Sequence, residues 1–369
     1  MEARSKTSST TTKSNTEVER GGCLPFSPCT HQPHVSPALD EIPRYLYRVH
    51  APSTAGRTTA DQVASRAAVL GRPDAEVDIL ARPARDAAEM LNCHLRGWAR
   101  DSDNLMSWSS SLLFVLQYAL WRTIKIGPDD PSEIRLYVLD TTGLPPRAFV
   151  PDSALLDTFG GVDSWKARSL AGVRRLRRKT PYNFGEYLCQ GGLSIEGSTA
   201  SASLQQIIDH GLFRLCPEMG EPNDRMELAK RVVKLRNGCF DVSRPTTKAE
   251  VRTALALAKG CFGDEWALPM MASFLSLRKR PRDDAVIADA FKANFSGKSP
   301  SPAVFGMQEH ELGALRTFWH ERLPEVEQFP RVIQDINSDR STRAVDSVIA
   351  TTMKLSSMSL LEKAVVHPA

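Results

Sequence analysis

The 369-residue sequence has no apolar run near the roughly 18 residues that a membrane helix needs. Its start, Met1-Glu2-Ala3-Arg4-Ser5-Lys6, leads into Ser and Thr instead of the apolar stretch of a secretory signal. Cysteine is sparse: Cys23, Cys29, Cys93, Cys189, Cys216, Cys239 and Cys261 are odd in number, widely spaced and include no Cys-x-x-Cys pair. That pattern argues against a zinc knuckle or a disulfide framework and fits a reducing compartment. The expected location is therefore intracellular, cytoplasmic or nuclear, with no membrane partner. Charge of one sign is also lacking, with 47 Lys and Arg against 43 Asp and Glu. A net charge of +4 gives no global field for a polyanion, so nucleic acid is not an expected partner. Gly-x-Gly-x-x-Gly, the full Gly-x-x-x-x-Gly-Lys-Ser/Thr loop and His-Glu-x-x-His are all missing, which leaves Rossmann, P-loop and helical zinc sites without support.

What is present is ordinary for a globular chain. Apolar residues at 41% and charged residues at 24% allow a sizeable core, and the length suggests two domains. Residues 1–38 are rich in Ser, Thr, Pro and Lys without apolar periodicity, so a disordered arm is expected there. Pro43 to Val49 alternates and is rich in β-formers, which predicts a strand. From about 60 to 98 the Ala-rich and Arg-rich spacing, Val63, Ala67, Leu70, then Ala87, Met90, Leu91, His94, predicts helices interrupted near Pro73 and Pro83.

Leu105-Met106, a serine cluster and the apolar run 112–121 read as a strand end, an N-cap and a buried helix. Ile134 to Asp140 is the clearest strand, closed by a turn at 141–146. The basic runs at 174–179 and 279–282 read as solvated loops, and an ion pair to the first is the structural alternative for the nearby Glu186. After about 210 the pattern becomes amphipathic helices near 224–237, 264–279, 284–295, 308–322 and 339–364, with Thr247 and Glu250 forming a capping box. The expected fold class is α+β: a core domain over 39–210 followed by a helical domain over 211–369.

Chemistry is concentrated in three segments: Leu46-Tyr47-Arg48, Ser107-Trp108-Ser109-Ser110-Ser111, and Glu186 with Gly191-Gly192-Leu193 after it. Cleaving the nicotinamide–ribose bond of NAD builds positive charge on the ribose, an oxocarbenium-like state that a fixed carboxylate stabilises. Nicotinamide leaves as a neutral group, so one glutamate suffices. Arginine offers a planar fork of donors for the dinucleotide phosphates, and serine hydroxyls both donate and accept within such a pocket.

These segments resemble the ADP-ribosyltransferases of the arginine–serine–glutamate class, and most closely the catalytic chain of heat-labile enterotoxins. Leu46-Tyr47-Arg48 is similar to the family's Leu-Tyr-Arg strand, the serine cluster to its Ser-Thr-Ser motif, Leu136-Tyr137-Val138-Leu139 to its Tyr-Val-Ile strand, and Glu186 to Leu193 to its catalytic glutamate followed by Gly-Gly-Ile. The chain also resembles uncharacterised fungal proteins that share Ser-Trp-Ser/Thr-Ser-Ser and Glu-Tyr-Leu segments. The resemblance covers residues 43 to 195 and implies a split, mostly antiparallel β core with flanking helices.

It further implies NAD as substrate, Glu186 as the catalytic carboxylate, Arg48 on the NAD phosphates, and Ser107 or Ser109, with Ser110 beside them, around the nicotinamide ribose. Trp108 permits two registers, so both serines stay open. Arginine-modifying members carry a second glutamate two residues before the catalytic one, where this chain has Phe184. A phenyl ring cannot accept a proton from a guanidinium or orient it. The implied activity is therefore ADP-ribosyl transfer to another acceptor or NAD hydrolysis by a glycohydrolase. The alternative is a catalytically inactive module that binds a protein partner through its helical region.

Overall fold

Alternation along the strands sets the architecture. The computed structural model describes residues 23–98, 100–125, 127–162, 169–221, 227–282, 284–295 and 322–333. Among them nine strands form: β1 (Tyr45–His50), β2 (Arg57–Thr58), β3 (Gln62–Ala64), β4 (Leu105–Ser109), β5 (Arg135–Asp140), β6 (Val150–Pro151), β7 (Glu186–Gln190), β8 (Gly192–Ser194) and β9 (Thr199–Ser203). They make a six-stranded sheet in the order β6-β7-β4-β1-β5-β9 and a three-stranded sheet in the order β2-β3-β8. Every ladder is antiparallel. The fold is α+β, with a mostly antiparallel core and a helical C-terminal region.

Both faces of the large sheet are buried, because successive side chains point to opposite sides. On one face Tyr45, Tyr47, Val49, Leu136 and Val138 pack under the helices Leu112–Arg122 and Lys248–Leu275. On the other, Leu46, Met106, Trp108, Tyr137, Leu139, Tyr187 and Cys189 pack against Val63 and Leu193 of the small sheet. The chain passes from the large to the small sheet at Gly191, whose φ of 68° and close approach to the Ala75 carbonyl leave no room for a side chain. The β1–β5 ladder holds from Tyr45↔Asp140 to His50↔Arg135, whereas β1 and β4 pair only at Tyr47↔Ser109. The two strands therefore part just beyond that position.

Four expectations change. Residues 1–22 of the expected arm lie outside the described residues, but 23–38 are packed: Phe26 and Val35 are fully buried in a cluster with Leu105, Val150, Leu188 and the helices Ala84–Leu95, Asp152–Phe159 and Leu170–Arg177. Isolated apolar residues carry no period, yet Phe26, with Val35 and Leu39 of the short helix Val35–Asp40, anchors the segment. Residues 62–64 form a strand, where helix was expected, because Val63 finds a partner at Leu193 of β8. The basic run at 174–179 belongs mostly to the helix Leu170–Arg177. In the second run, Arg280 is buried and donates to the Leu275 carbonyl and to Thr246 Oγ1.

The fourth change concerns the helical region, which shares the sheet's core instead of forming its own. Val232, Leu235, Val251, Met270 and Met271 lie in one cluster with Tyr45 and Tyr47. Tyr47 Oη and Ser273 Oγ are 2.7 Å apart, and Trp266 and Phe329 meet Tyr45 edge-on. The capping box is present, with Glu250 N donating to Thr247 Oγ1 and Thr247 N to Glu250 Oε2. The long helix breaks at Gly263, where φ is 82°. The helices expected near 308–322 and 339–364 lie outside the described residues, Arg322 excepted. Among the described residues no helix is long and apolar enough to cross a membrane, and no His, Cys, Asp and Glu cluster could hold a metal.

Candidate active site: a buried polar chain around Glu186

The register of β4 and β7 decides which serine meets the glutamate. Ser109 pairs with Glu186 and Ser107 with Leu188, so all three polar side chains lie on one face. Ser107 Oγ donates to Glu186 Oε1 at 2.6 Å. His94, from the helix Ala84–Leu95, places Nε2 2.8 Å from Ser107 Oγ and Nδ1 2.8 Å from Asp103 Oδ2. On its other side Glu186 Oε2 accepts from Arg177 Nη2 at 2.6 Å, and Arg177 Nε stands 3.0 Å from Asp152 Oδ2. The series Asp103, His94, Ser107, Glu186, Arg177, Asp152 is continuous.

Proton counting fixes the charge states along it. A hydroxyl has one proton, and the Glu186 carboxylate takes it, so His94 Nε2 must donate to the Ser107 oxygen. Nδ1 faces a carboxylate and donates as well, which makes His94 an imidazolium. Burial opposes that charge, but the Asp103 carboxylate, reinforced by Glu186, holds the His94 pKa above its ordinary value. A serine, histidine and aspartate at these distances have the outline of a nucleophilic triad. Here the serine proton is already committed to Glu186, and the doubly protonated imidazole cannot act as its base.

Arg48 stands apart from this face. Its Cα pairs with Tyr137, and its side chain points with Leu46 toward the small sheet. Nε donates to Thr58 Oγ1 at 3.1 Å, Nη1 to the Ser107 carbonyl at 2.6 Å, and the guanidinium lies 5.9 Å from the Trp108 ring centroid. Burial lowers its pKa. Arg48 thus fills the gap where β1 and β4 part, touching Ser107 through the backbone while Glu186 meets the Ser107 hydroxyl from the opposite face. The three sequence-predicted segments converge on Ser107, but Arg48 and Glu186 do not share one surface.

The remaining serines position the entry to β7. Ser109 Oγ donates to the Phe184 carbonyl at 2.7 Å, and Ser110 N donates to the Gly185 carbonyl at 2.9 Å. Ser111 Oγ caps the helix Leu112–Arg122 by accepting from Phe114 N, and its hydroxyl also donates to Glu325. Phe184 is core: it stacks on Phe114 with ring centroids 4.7 Å apart, and the Arg177 guanidinium lies 4.5 Å over its other side. Arg236 donates to the carbonyls of Asn183 and Pro181 while paired with Glu325, which ties this segment to the helical region.

A pocket of about 580 Å³ opens beside the chain, with Asp152, Arg177 and Asn183 among its lining and Arg174, Arg178 and Arg322 on its walls. Arg174 and Arg178 both pair with Asp157. Glu186 stands behind Arg177, set back from this lining. His94, Asp103, Asp152 and Arg177 were not among the sequence-predicted site residues. A histidine on the apolar stripe of a buried helix was the one visible signal; the ion pair of Glu186 to the basic run was the structural alternative, and it forms. Cys189 is buried beside the site, and burial pushes its thiol up to about 12, as inert strand filler requires.

Residues 41–195 match the model of a family described as a domain of unknown function (DUF7587), a stretch that contains every member of this polar chain. No curated protein and no solved structure matches the chain.

Proposed function

We propose that this chain cleaves the nicotinamide–ribose bond of NAD, as an ADP-ribosyltransferase or an NAD glycohydrolase. The observation that carries the reading is the Ser107–Glu186 hydrogen bond: a carboxylate held on adjacent strands, beside a pocket, in the sequence order that the resemblance implies. Ser107 and Arg177 fix the carboxylate plane before substrate arrives, and preorganised charge is what stabilises an oxocarbenium ion. As NAD enters, the ribose hydroxyls replace Arg177 at Oε2. Arg48 is buried on the other face of the sheet, so phosphate binding passes to Arg174, Arg178 and Arg322 on the pocket wall. Ser109 and Ser110 serve by holding 184–185. All seven cysteines are free, which suits an intracellular setting.

The test is nicotinamide release from NAD by purified protein. Wild type is expected to release it and Glu186→Gln to lower the rate by about 10²- to 10³-fold. A folded wild-type protein that releases no nicotinamide with water or with a range of acceptors defeats the reading.

A second reading, a non-catalytic module that binds a protein through its helical region, draws on the same site. Both Glu186 oxygens and the Arg48 guanidinium already have internal partners. It expects a stoichiometric complex that survives Glu186→Gln, with no nicotinamide released.

A further inference from the structure

Asp152 follows directly on the strand that pairs with that of Glu186. β6 and β7 pair Val150 with Leu188 and Pro151 with Tyr187, and the next residue, Asp152, opens the helix Asp152–Phe159. Arg177 lies between the two carboxyl groups. It donates to Glu186 Oε2, whereas its Nε meets Asp152 Oδ2 at 3.0 Å without hydrogen-bond alignment. Oδ2 is buried with no hydrogen-bond partner, and the Asp152 residue is only 4% exposed. Asp152 nevertheless lines the 580 Å³ pocket, which Glu186 does not. One carboxyl thus faces the serine and the other lines the pocket that opens beside the polar chain.

We propose that Asp152 is the general base that activates a neutral oxygen nucleophile, water or an alcohol, for attack on the ribose. The assignment rests on the NAD-cleavage reading and supplies its missing half, since Phe184 occupies the position from which the family's second glutamate acts. The carbon–nitrogen bond to nicotinamide breaks and its electron pair leaves with nicotinamide, while Glu186 stabilises the cation. The nucleophile's oxygen then bonds to the anomeric carbon and its proton passes to the Asp152 carboxylate, which later returns it to solvent. A guanidinium acceptor is disfavoured, because Arg174, Arg177, Arg178 and Arg322 face the same space.

The environment suits a base that works near neutrality. Burial pushes the Asp152 carboxyl up, Arg177 pulls it back and Glu186 raises it again, to about 7. The charged groups facing it are Arg177 at 3.0 Å, Glu186 beyond that guanidinium, and His34, Glu41, Asp157, Arg174, Arg178 and Arg322 around the pocket.

The experiment follows nicotinamide release and product identity from pH 5.5 to 9 in wild type, Glu186→Gln and Asp152→Asn. Wild type is expected to show a rate that rises with pH through a midpoint near 7. Asp152→Asn should lose that limb, fall by about 10²- to 10⁴-fold, and keep its NAD affinity by equilibrium titration. Sodium azide, an anion that needs no deprotonation, should restore turnover to Asp152→Asn as azido-ADP-ribose. A folded Asp152→Asn with the wild-type rate and pH profile overturns the assignment while leaving NAD cleavage intact. Failure of azide to accelerate it overturns it too. If Asp152→Asn does not fold, a wild-type rate that is flat across pH 7 overturns it instead. No release by wild type is the distinct failure, that of the NAD reading itself.

Discussion

At the scale of the residue, the site depends on a histidine that donates to a serine and to an aspartate. His94 holds Ser107 and Asp103 at once, and its raised pKa makes the arrangement sensitive to pH in a definite direction. A histidine whose folded pKa lies above its unfolded value of about 6.5 binds its proton more tightly when folded. The stability it adds is full below about pH 6.5 and is lost as pH rises through the folded value. The wild-type melting temperature should therefore exceed that of His94→Gln most at pH 5.5 to 6 and converge on it toward pH 9, by scanning calorimetry. A gap that widens with pH would show that His94 is folded as the neutral base. Glu186 and Ser107 were legible in the sequence because each sits in a short motif that strand alternation carries onto the same face. Asp103 and Asp152 were not legible as their partners, because register and helix placement, neither written in local sequence, bring them there, and Arg177 was legible only as one of a basic run that could pair with Glu186.

At the scale of the element, the serine cluster works as a splice between β4, the entry to β7 and the helix that follows. The N-cap expected within the serine cluster falls on Ser111, while Ser109 and Ser110 are spent on the carbonyls of Phe184 and Gly185. Gly185 carries the constraint: its φ is 59°, and a Cβ there would collide with Ser110 Oγ. Left-handed backbone costs a residue with a side chain about 1–2 kcal/mol, and the collision adds to it. Gly185→Ala should lower unfolding free energy in urea by more than about 2 kcal/mol and shift the Glu186 carboxylate beside it. Adding Ser110→Ala should return the part due to collision and leave the part due to φ. If Gly185→Ala unfolds at the wild-type urea concentration, the turn is not what fixes the start of β7. The adjacent glycines at 191 and 192 drew attention in the sequence because they form a motif, whereas a single glycine one residue before Glu186 gave no signal without its dihedral angle.

At the scale of the whole molecule, the shift to amphipathic helices after 210 was legible, but its meaning was not. An apolar stripe states that a helix covers something without stating what. Here it covers the Tyr45, Tyr47 and Val138 face of the sheet, so a chain ended at 210 should expose that face and aggregate instead of folding. The helical region also reaches the site through Arg236 and Glu325, a buried ion pair whose partners are the Pro181 and Asn183 carbonyls on one side and Ser111 on the other. Removing one member of such a pair strands the other's charge, so Arg236→Ala should cost about 3–5 kcal/mol of stability. Replacing both, with Arg236→Met and Glu325→Leu, takes the stranded charge away and should recover the part of the loss that is due to it, because an apolar pair of similar volume packs in its place. It should not recover nicotinamide release, since the Pro181 and Asn183 carbonyls and the Ser111 hydroxyl stay without these partners and the strand entry that aims Glu186 is freed. Unfolding and turnover measured on the same three proteins separate the two roles: activity that returns in step with stability would mean that the helices only support the sheet, whereas stability without activity would mean that they hold the carboxylate in place.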